Sequence, residues 1–228
     1  MHVPDGFLDP ATTVLTTAVA GVALAFALRG TGRELSERTV PLAGLLAAFL
    51  FAVQLINVPL GIGTSVHILG VVFAAIVLGP CTALVCASVV LLVQSFVMGF
   101  GGVSGLGASM IVMDLVPILI GYGLFSVARN RLPASAHGVL AGVAAGLSAV
   151  AGAGTFLGLT LVGGADGISD VPTSVVAGSL LGSHVISGLI EGVITTSMLA
   201  ALHKARPDLI RGFAPLSESS RPVVGSHQ

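Results

Sequence analysis

Met1-His2 opens the chain with a compact chelating unit. The terminal amine, the His2 backbone nitrogen once deprotonated, and the His2 imidazole put three nitrogen donors on one dipeptide. A fourth nitrogen would close a plane, and a planar set of nitrogens suits a d⁸ or d⁹ ion such as Ni(II) or Cu(II). His67 is the obvious fourth donor. Methionine aminopeptidases need a small second residue, so His2 is expected to leave Met1 in place with a free amine. The amine has an ordinary pKa of about 8 and imidazole about 6.5, so both shed protons on binding and affinity depends on pH. Such a tail is inert when it trails in solvent, as termini commonly do. Here it continues Val3-Pro4-Asp5-Gly6-Phe7-Leu8-Asp9-Pro10, and two prolines around a Gly-Phe-Leu segment predict a tail that turns and docks.

Further polar residues interrupt runs that are otherwise apolar. Asp114, His184 and Glu191 fall inside such runs, while Gln54, Asn57, His67 and Gln94 lie within or at the ends of others, with Ser65 just before His67. Ionisable groups at membrane depth are costly, so each is a functional candidate. Their depths converge toward one face: His184 comes about eleven residues into its run, roughly 16 Å at 1.5 Å per residue, and Glu191 lies seven residues further on the same helical face. They predict a polar pocket opening outward. The plainer reading is that each group bonds a neighbouring helix. His137, His203 and His227 fall in loops or the tail and are expected to be solvated, without a role.

The elements that must position these groups are membrane helices. Of 228 residues, 54% are hydrophobic, 31 are glycine and 8% are charged, against about 25% charged in ordinary globular chains. This is an all-α, polytopic membrane protein, and the net charge of −1 gives no support for nucleic-acid binding. Cys81 and Cys86, alone in an apolar run, supply neither a disulfide framework nor a zinc site. A bilayer core of about 30 Å needs roughly 20 apolar residues. Seven charge-poor runs emerge, near 12–28, 41–58, 66–79, 81–98, 107–128, 138–162 and 173–202; the third and fourth are short and meet at Gly79-Pro80, where the alternative is one kinked helix.

Charge supports that separation. Arg29, Arg33 and Arg38 share one loop, Arg129 and Arg131 another, and Lys204, Arg206, Arg211 and Arg221 the tail, and seven spans place all nine on one side. That side is cytoplasmic by the positive-inside rule, which puts the N-terminus outside and the C-terminus inside. The opposite loops, near 59–65, 99–106 and 163–172, carry the acids Asp166 and Asp170 and no Lys or Arg. No basic n-region precedes the first apolar stretch, so no secretory signal is expected. Residues 1–205 read as one transmembrane domain with a metal-binding segment at 1–10, and 206–228 as a polar cytoplasmic tail. Small residues three or four apart, in Gly138–Gly142 and Gly178–Gly182, predict close helix packing.

MHVPDGFLDP, Asn57-Val-Pro, Gly63-Thr-Ser-Val-His67-Ile-Leu-Gly70, Leu78-Gly-Pro80, Leu92-Val-Gln94 and Gly105-Leu-Gly-Ala108 together resemble the CbiM/NikM family, the substrate-binding membrane subunits of energy-coupling-factor transporters for cobalt and nickel. The resemblance covers most of the membrane region. It implies a seven-helix fold with its N-terminus tucked into the bundle, in a prokaryotic cell membrane, and metal held by Met1, His2 and His67. Asp5 stands where the family often has an acid, which implies a supporting role. Asn57, Ser65, Gln94, Asp114 and His184 remain pocket candidates on position alone. Transported Co(II) or Ni(II) would feed cobalamin synthesis or nickel enzymes, with no further cofactor. The resemblance also implies two cytoplasmic ATPases, a coupling transmembrane subunit and a small accessory membrane subunit. The one lysine, Lys204, sits in no phosphate-binding loop, so ATP hydrolysis is expected only in partners.

Two other readings compete. Gly102-Val-Ser104-Gly105 with a distant Ser183-His184 is similar to the Gly-x-Ser-Gly and histidine pair of rhomboid intramembrane proteases, which would make Ser104 a nucleophile and His184 its base. Against it, Ser104 falls at or outside the membrane surface, His184 is expected deep within, and the Gly101–Gly107 stretch reads more simply as a flexible outer loop. The other is a membrane protein with no ligand at all.

Overall fold

The structure, a computed structural model, describes residues 1–37, 39–59, 65–164 and 172–213. Arg38, Arg221, His227, Asp166, Asp170 and most of the predicted tail lie outside the described residues. Among the described residues, seven helices of eight residues or more are present: α1 (Pro10–Glu34), α2 (Val40–Gln54), α3 (Val71–Leu78), α4 (Pro80–Met98), α5 (Leu106–Arg131), α6 (His137–Gly163) and α7 (Thr173–Ala205). Five are long and apolar enough to cross a membrane, and α2 is a shorter apolar helix. The polytopic, all-α fold is as expected, and side chains such as Val14, Leu15, Val22 and Phe26 point outward along α1 to suit a lipid surround.

The third expected span, 66–79, takes a different form. It divides into a short strand, β2 (Ser65–His67), paired antiparallel with β1 (Asn57–Pro59), and the eight residues of α3. Gly70 has φ +71° and Gly79 φ +105°, left-handed values that end regular structure on either side of α3. Every α3 residue is at most 4% exposed, so this helix is the centre of the bundle rather than part of its lipid face. An apolar run alone does not separate a short buried helix from a spanning one.

Helix starts are set by recognisable residues. The Asp9 carboxylate accepts from Ala11 N and Thr12 N at 2.8 and 3.0 Å, with Pro10 at the first helical position of α1. Pro80 opens α4, whose first N–H groups are met from outside: the Glu34 carboxylate, at the end of α1, accepts from Cys81 N and Thr82 N. In α5, Pro117 has no N–H to give, and the helix widens into π turns at Ile111–Leu115 and Ile118–Tyr122 on either side of it.

The close approach of α6 and α7 uses one of the two predicted glycine motifs and not the other. A Cβ on Gly146 would stand 2.7 Å from Gly188 O, and Gly142 faces Gly192, whereas Gly178 and Gly182 face open space. The Gly138–Gly142 motif thus contributes one end, and its partner lies further along α7 than Gly178–Gly182.

At the basic end, the chain does not leave the bundle once α7 stops. Arg129, itself buried, donates to Gly212 O, and Arg211 donates to Arg33 O and Glu34 O at 3.1 and 2.8 Å. Ile210 is 3% exposed. His137 bonds Arg129 O at 2.9 Å and packs edge-on to Phe125 and Phe213, and His203 packs edge-on to Phe213. His137 thus closes that end half-buried instead of standing in solvent, while His203 is exposed as expected and only its ring edge meets Phe213.

Candidate metal centre

The N-terminal nine residues form a strap held at several points along its length. Val3 N donates to Ser109 Oγ at 2.9 Å, Gly102 N donates to Val3 O at 2.8 Å, and Asp9 N donates to Gly163 O at 2.7 Å. Val3 is 1% exposed and Leu8 7%, and the Phe7 ring stacks on Phe156. The Asp5 carboxylate accepts from both Ser104 N and Ser104 Oγ, at 2.7 and 2.6 Å.

The loop over this strap is built of glycine because the strap lies against it. A Cβ on Gly101 would come within 3.0 Å of His2 Cβ, one on Gly102 would collide with Asp5, and one on Gly105 would collide with Val3 O. The stretch expected to be a flexible outer loop is therefore a fitted cover. Gly-x-Ser-Gly owes its glycines to this contact and its serine to Asp5, leaving nothing of a nucleophile's surroundings.

The strap delivers the chelating dipeptide to His67. The Met1 amine nitrogen lies 2.8 Å from His67 Nε2, and the His2 ring stacks on the His67 ring at 5.4 Å between centroids and 26° between planes. Phe100 tilts against His2 from the other side, at 5.8 Å. His2 Nδ1 is buried without a hydrogen-bond partner among the described residues. A buried, unpaired ring nitrogen is uncommon in a settled structure, and one beside an amine and a second imidazole fits a missing electrophile. Through Nδ1, Met1-His2 would close a five-membered ring (amine to backbone nitrogen) and a six-membered ring (backbone nitrogen to imidazole), with His67 Nε2 as the fourth nitrogen.

Electrostatics prepare the donors. Burial pulls the Met1 amine down to about 5, and burial with the neighbouring amine pulls the His2 imidazole down to about 4. Both offer free lone pairs at neutral pH. Among the described residues no three His, Cys, Asp or Glu side chains gather as a metal cluster, because two of the donors here are backbone nitrogens.

The other predicted residues fall into three groups. Gln94 and Gln54 support the His67 segment: Gln94 Nε2 donates to Gln54 Oε1, and Gln54 Nε2 donates to Leu69 O, both at 3.1 Å. His184 bonds within its own helix, Nδ1 lying 2.8 Å from Leu180 O and 3.3 Å from Ser183 Oγ, and Ser104 Oγ is taken up by Asp5, so the two are not an acid–base pair. Asp114 is wholly buried in the π turn of α5, both carboxylate oxygens without a hydrogen-bond partner among the described residues, and is not joined to the cluster. Asn57 lies opposite His67 in the strand register and Ser65 begins β2, but their side chains lie outside what is described. Sequence reasoning counted Glu191 among the polar residues of the pocket and gave it no ligand role. It accepts from Leu69 N and Gly70 N, both at 2.7 Å, just beyond His67.

The chain is similar to known metal transport proteins. A putative metal transport protein of Haloquadratum walsbyi is 36% identical over 92% of this chain and 93% of its own length. A putative fused nickel transport protein, NikMN, of Archaeoglobus fulgidus is 34% identical over 99% of this chain and 73% of its own. A crystal structure of a truncated transition metal transporter superposes with a TM-score of 0.76 at 25% identity, covering 90% of this chain and 99% of that one. The family model for the cobalt uptake substrate-specific transmembrane region matches residues 2–209, and the chain belongs to that family, CbiM.

Proposed function

We propose that this chain captures Co(II) or Ni(II) on four nitrogens: the Met1 amine, the His2 backbone nitrogen, His2 Nδ1 and His67 Nε2. The carrying observation is the 2.8 Å approach of the Met1 amine to His67 Nε2 beside the unpartnered His2 Nδ1. The chain is a membrane transporter component and not an enzyme, as its family membership implies. The bound ion is its substrate, carried toward cobalamin synthesis or nickel enzymes, and the planar nitrogen set favours nickel. Asp5 supports the site at one remove, by tying the strap to Ser104. Residues 1–205 form the transporting unit, with the metal segment at 1–10 and a cytoplasmic tail from 206 whose first residues pack against the basic end. Two ATPases, a coupling membrane subunit and a small accessory membrane subunit complete the transporter.

The test removes one ring nitrogen. Protein with its native N-terminus is expected to bind one equivalent of Ni(II), and His2→Gln, whose bulky second residue still keeps Met1 in place, to lose that binding because the six-membered chelate ring is gone. Unchanged binding in His2→Gln overturns the site.

A further inference from the structure

His67 is presented by a strand end too short to hold itself. β2 has three residues and pairs only with an equally short β1. What fixes the segment comes from α7. The Glu191 carboxylate, 2% exposed, spans Leu69 N and Gly70 N with one oxygen each, at 2.7 Å. Bonds from two successive N–H groups to one carboxyl leave that peptide little freedom, and it begins two residues beyond His67. One turn earlier on the same face of α7, Ser187 Oγ stands 3.5 Å from His67 O. Gln54, backed by Gln94, takes Leu69 O from the other side. Immediately after Gly70 the chain enters α3, which is buried along its whole length and gives the clamp a rigid backing.

We propose that Glu191 is the positioning residue for the fourth donor, holding the His67 imidazole in the plane of the Met1-His2 chelate. This rests on the metal site proposed above. Without the clamp, the three nitrogens of the dipeptide still bind, but the His67 nitrogen is no longer fixed where the plane closes. Outer contacts of this kind are worth about 10–100-fold in metal affinity elsewhere.

Glu34 supplies the control. It makes the same pair of bonds, carboxylate to two successive backbone N–H groups, at the opposite end of the bundle, where it caps α4. Full-length protein with its native N-terminus is titrated with Ni(II), reading affinity and the visible absorption of planar four-nitrogen Ni(II), with His67→Ala as the three-nitrogen reference. Glu191→Gln is expected to weaken binding by about 10–100-fold and to move the absorption toward the His67→Ala spectrum. Glu191→Asp, one methylene short, is expected to show part of that loss. Glu34→Gln is expected to lower the melting temperature and leave affinity and spectrum alone. Wild-type affinity and spectrum in folded Glu191→Gln overturn the proposal, as does the same loss in Glu34→Gln. If Glu191→Gln does not fold, wild-type affinity in Glu191→Asp overturns it. A wild-type protein without the planar spectrum, or one indistinguishable from His67→Ala, removes the metal site itself and Glu191's role with it.

Discussion

At the scale of single residues, the proposed site has its protons removed in advance. The Met1 amine is pulled to about 5 by burial, against about 8 in an unfolded chain. Between those values the unfolded chain binds the proton and the folded chain does not, so the metal-free fold gains stability as pH rises from about 5 to 8. His2, pulled to about 4, adds the same dependence between about 4 and 6.5. Nickel arriving at neutral pH then has only the His2 peptide proton to displace. Calorimetry in buffers of different ionisation enthalpy, at pH 6.5, is expected to give about one proton released per Ni(II), fewer than a free Met-His peptide releases. Two or more released by the protein would contradict this. The donors proposed on Met1-His2 could be named from the sequence because chelation by a dipeptide needs only adjacency. Glu191 could not, because what it holds, the Leu69-Gly70 peptide, is more than a hundred residues away and contributes no side chain to the bond.

At the scale of elements, the strap and its cover depend on each other. Gly101, Gly102 and Gly105 are small because backbone and side-chain atoms of His2, Val3 and Asp5 occupy the space a Cβ would need. Gly105→Ala is expected to expel the strap and abolish Ni(II) binding while helical content by circular dichroism stays at the wild-type level. Retained binding would show that the loop yields more easily than its contacts imply. From the sequence, that glycine cluster reads as mobility. Glycine at a left-handed turn, as at Gly101 with φ +73°, and glycine under a close neighbour, as at Gly105, leave the same letter in the chain. The same limit applied to α6 and α7, where spacing announced a close crossing but which glycines meet depends on the helix rotation.

At the scale of the whole molecule, charge divides the two ends. Arg33, Glu34, Arg129 and Arg211 meet at one end, through Arg211 to the α1 carbonyls and Arg129 to Gly212, while the strap closes the other. By the positive-inside rule the strap faces out. In a background with Cys81 and Cys86, both partly buried, replaced by alanine, Val103→Cys is expected to react with a membrane-impermeant thiol reagent in intact cells. Arg131→Cys is expected to react only after permeabilisation; the reverse pattern would invert the orientation. This polarity was readable from the positions of nine basic residues in the sequence. The division of the third apolar run was not, since its residues are as apolar as any span's.

That division sets a distance. α3 runs from the clamp beside His67 to Gly79, against Glu34 at the basic end, and its eight residues rise about 12 Å. A bilayer core is about 30 Å thick. Where the sequence promised a span, the segment after His67 is therefore backed by a lipid-free helix less than half as long as the bilayer core is thick.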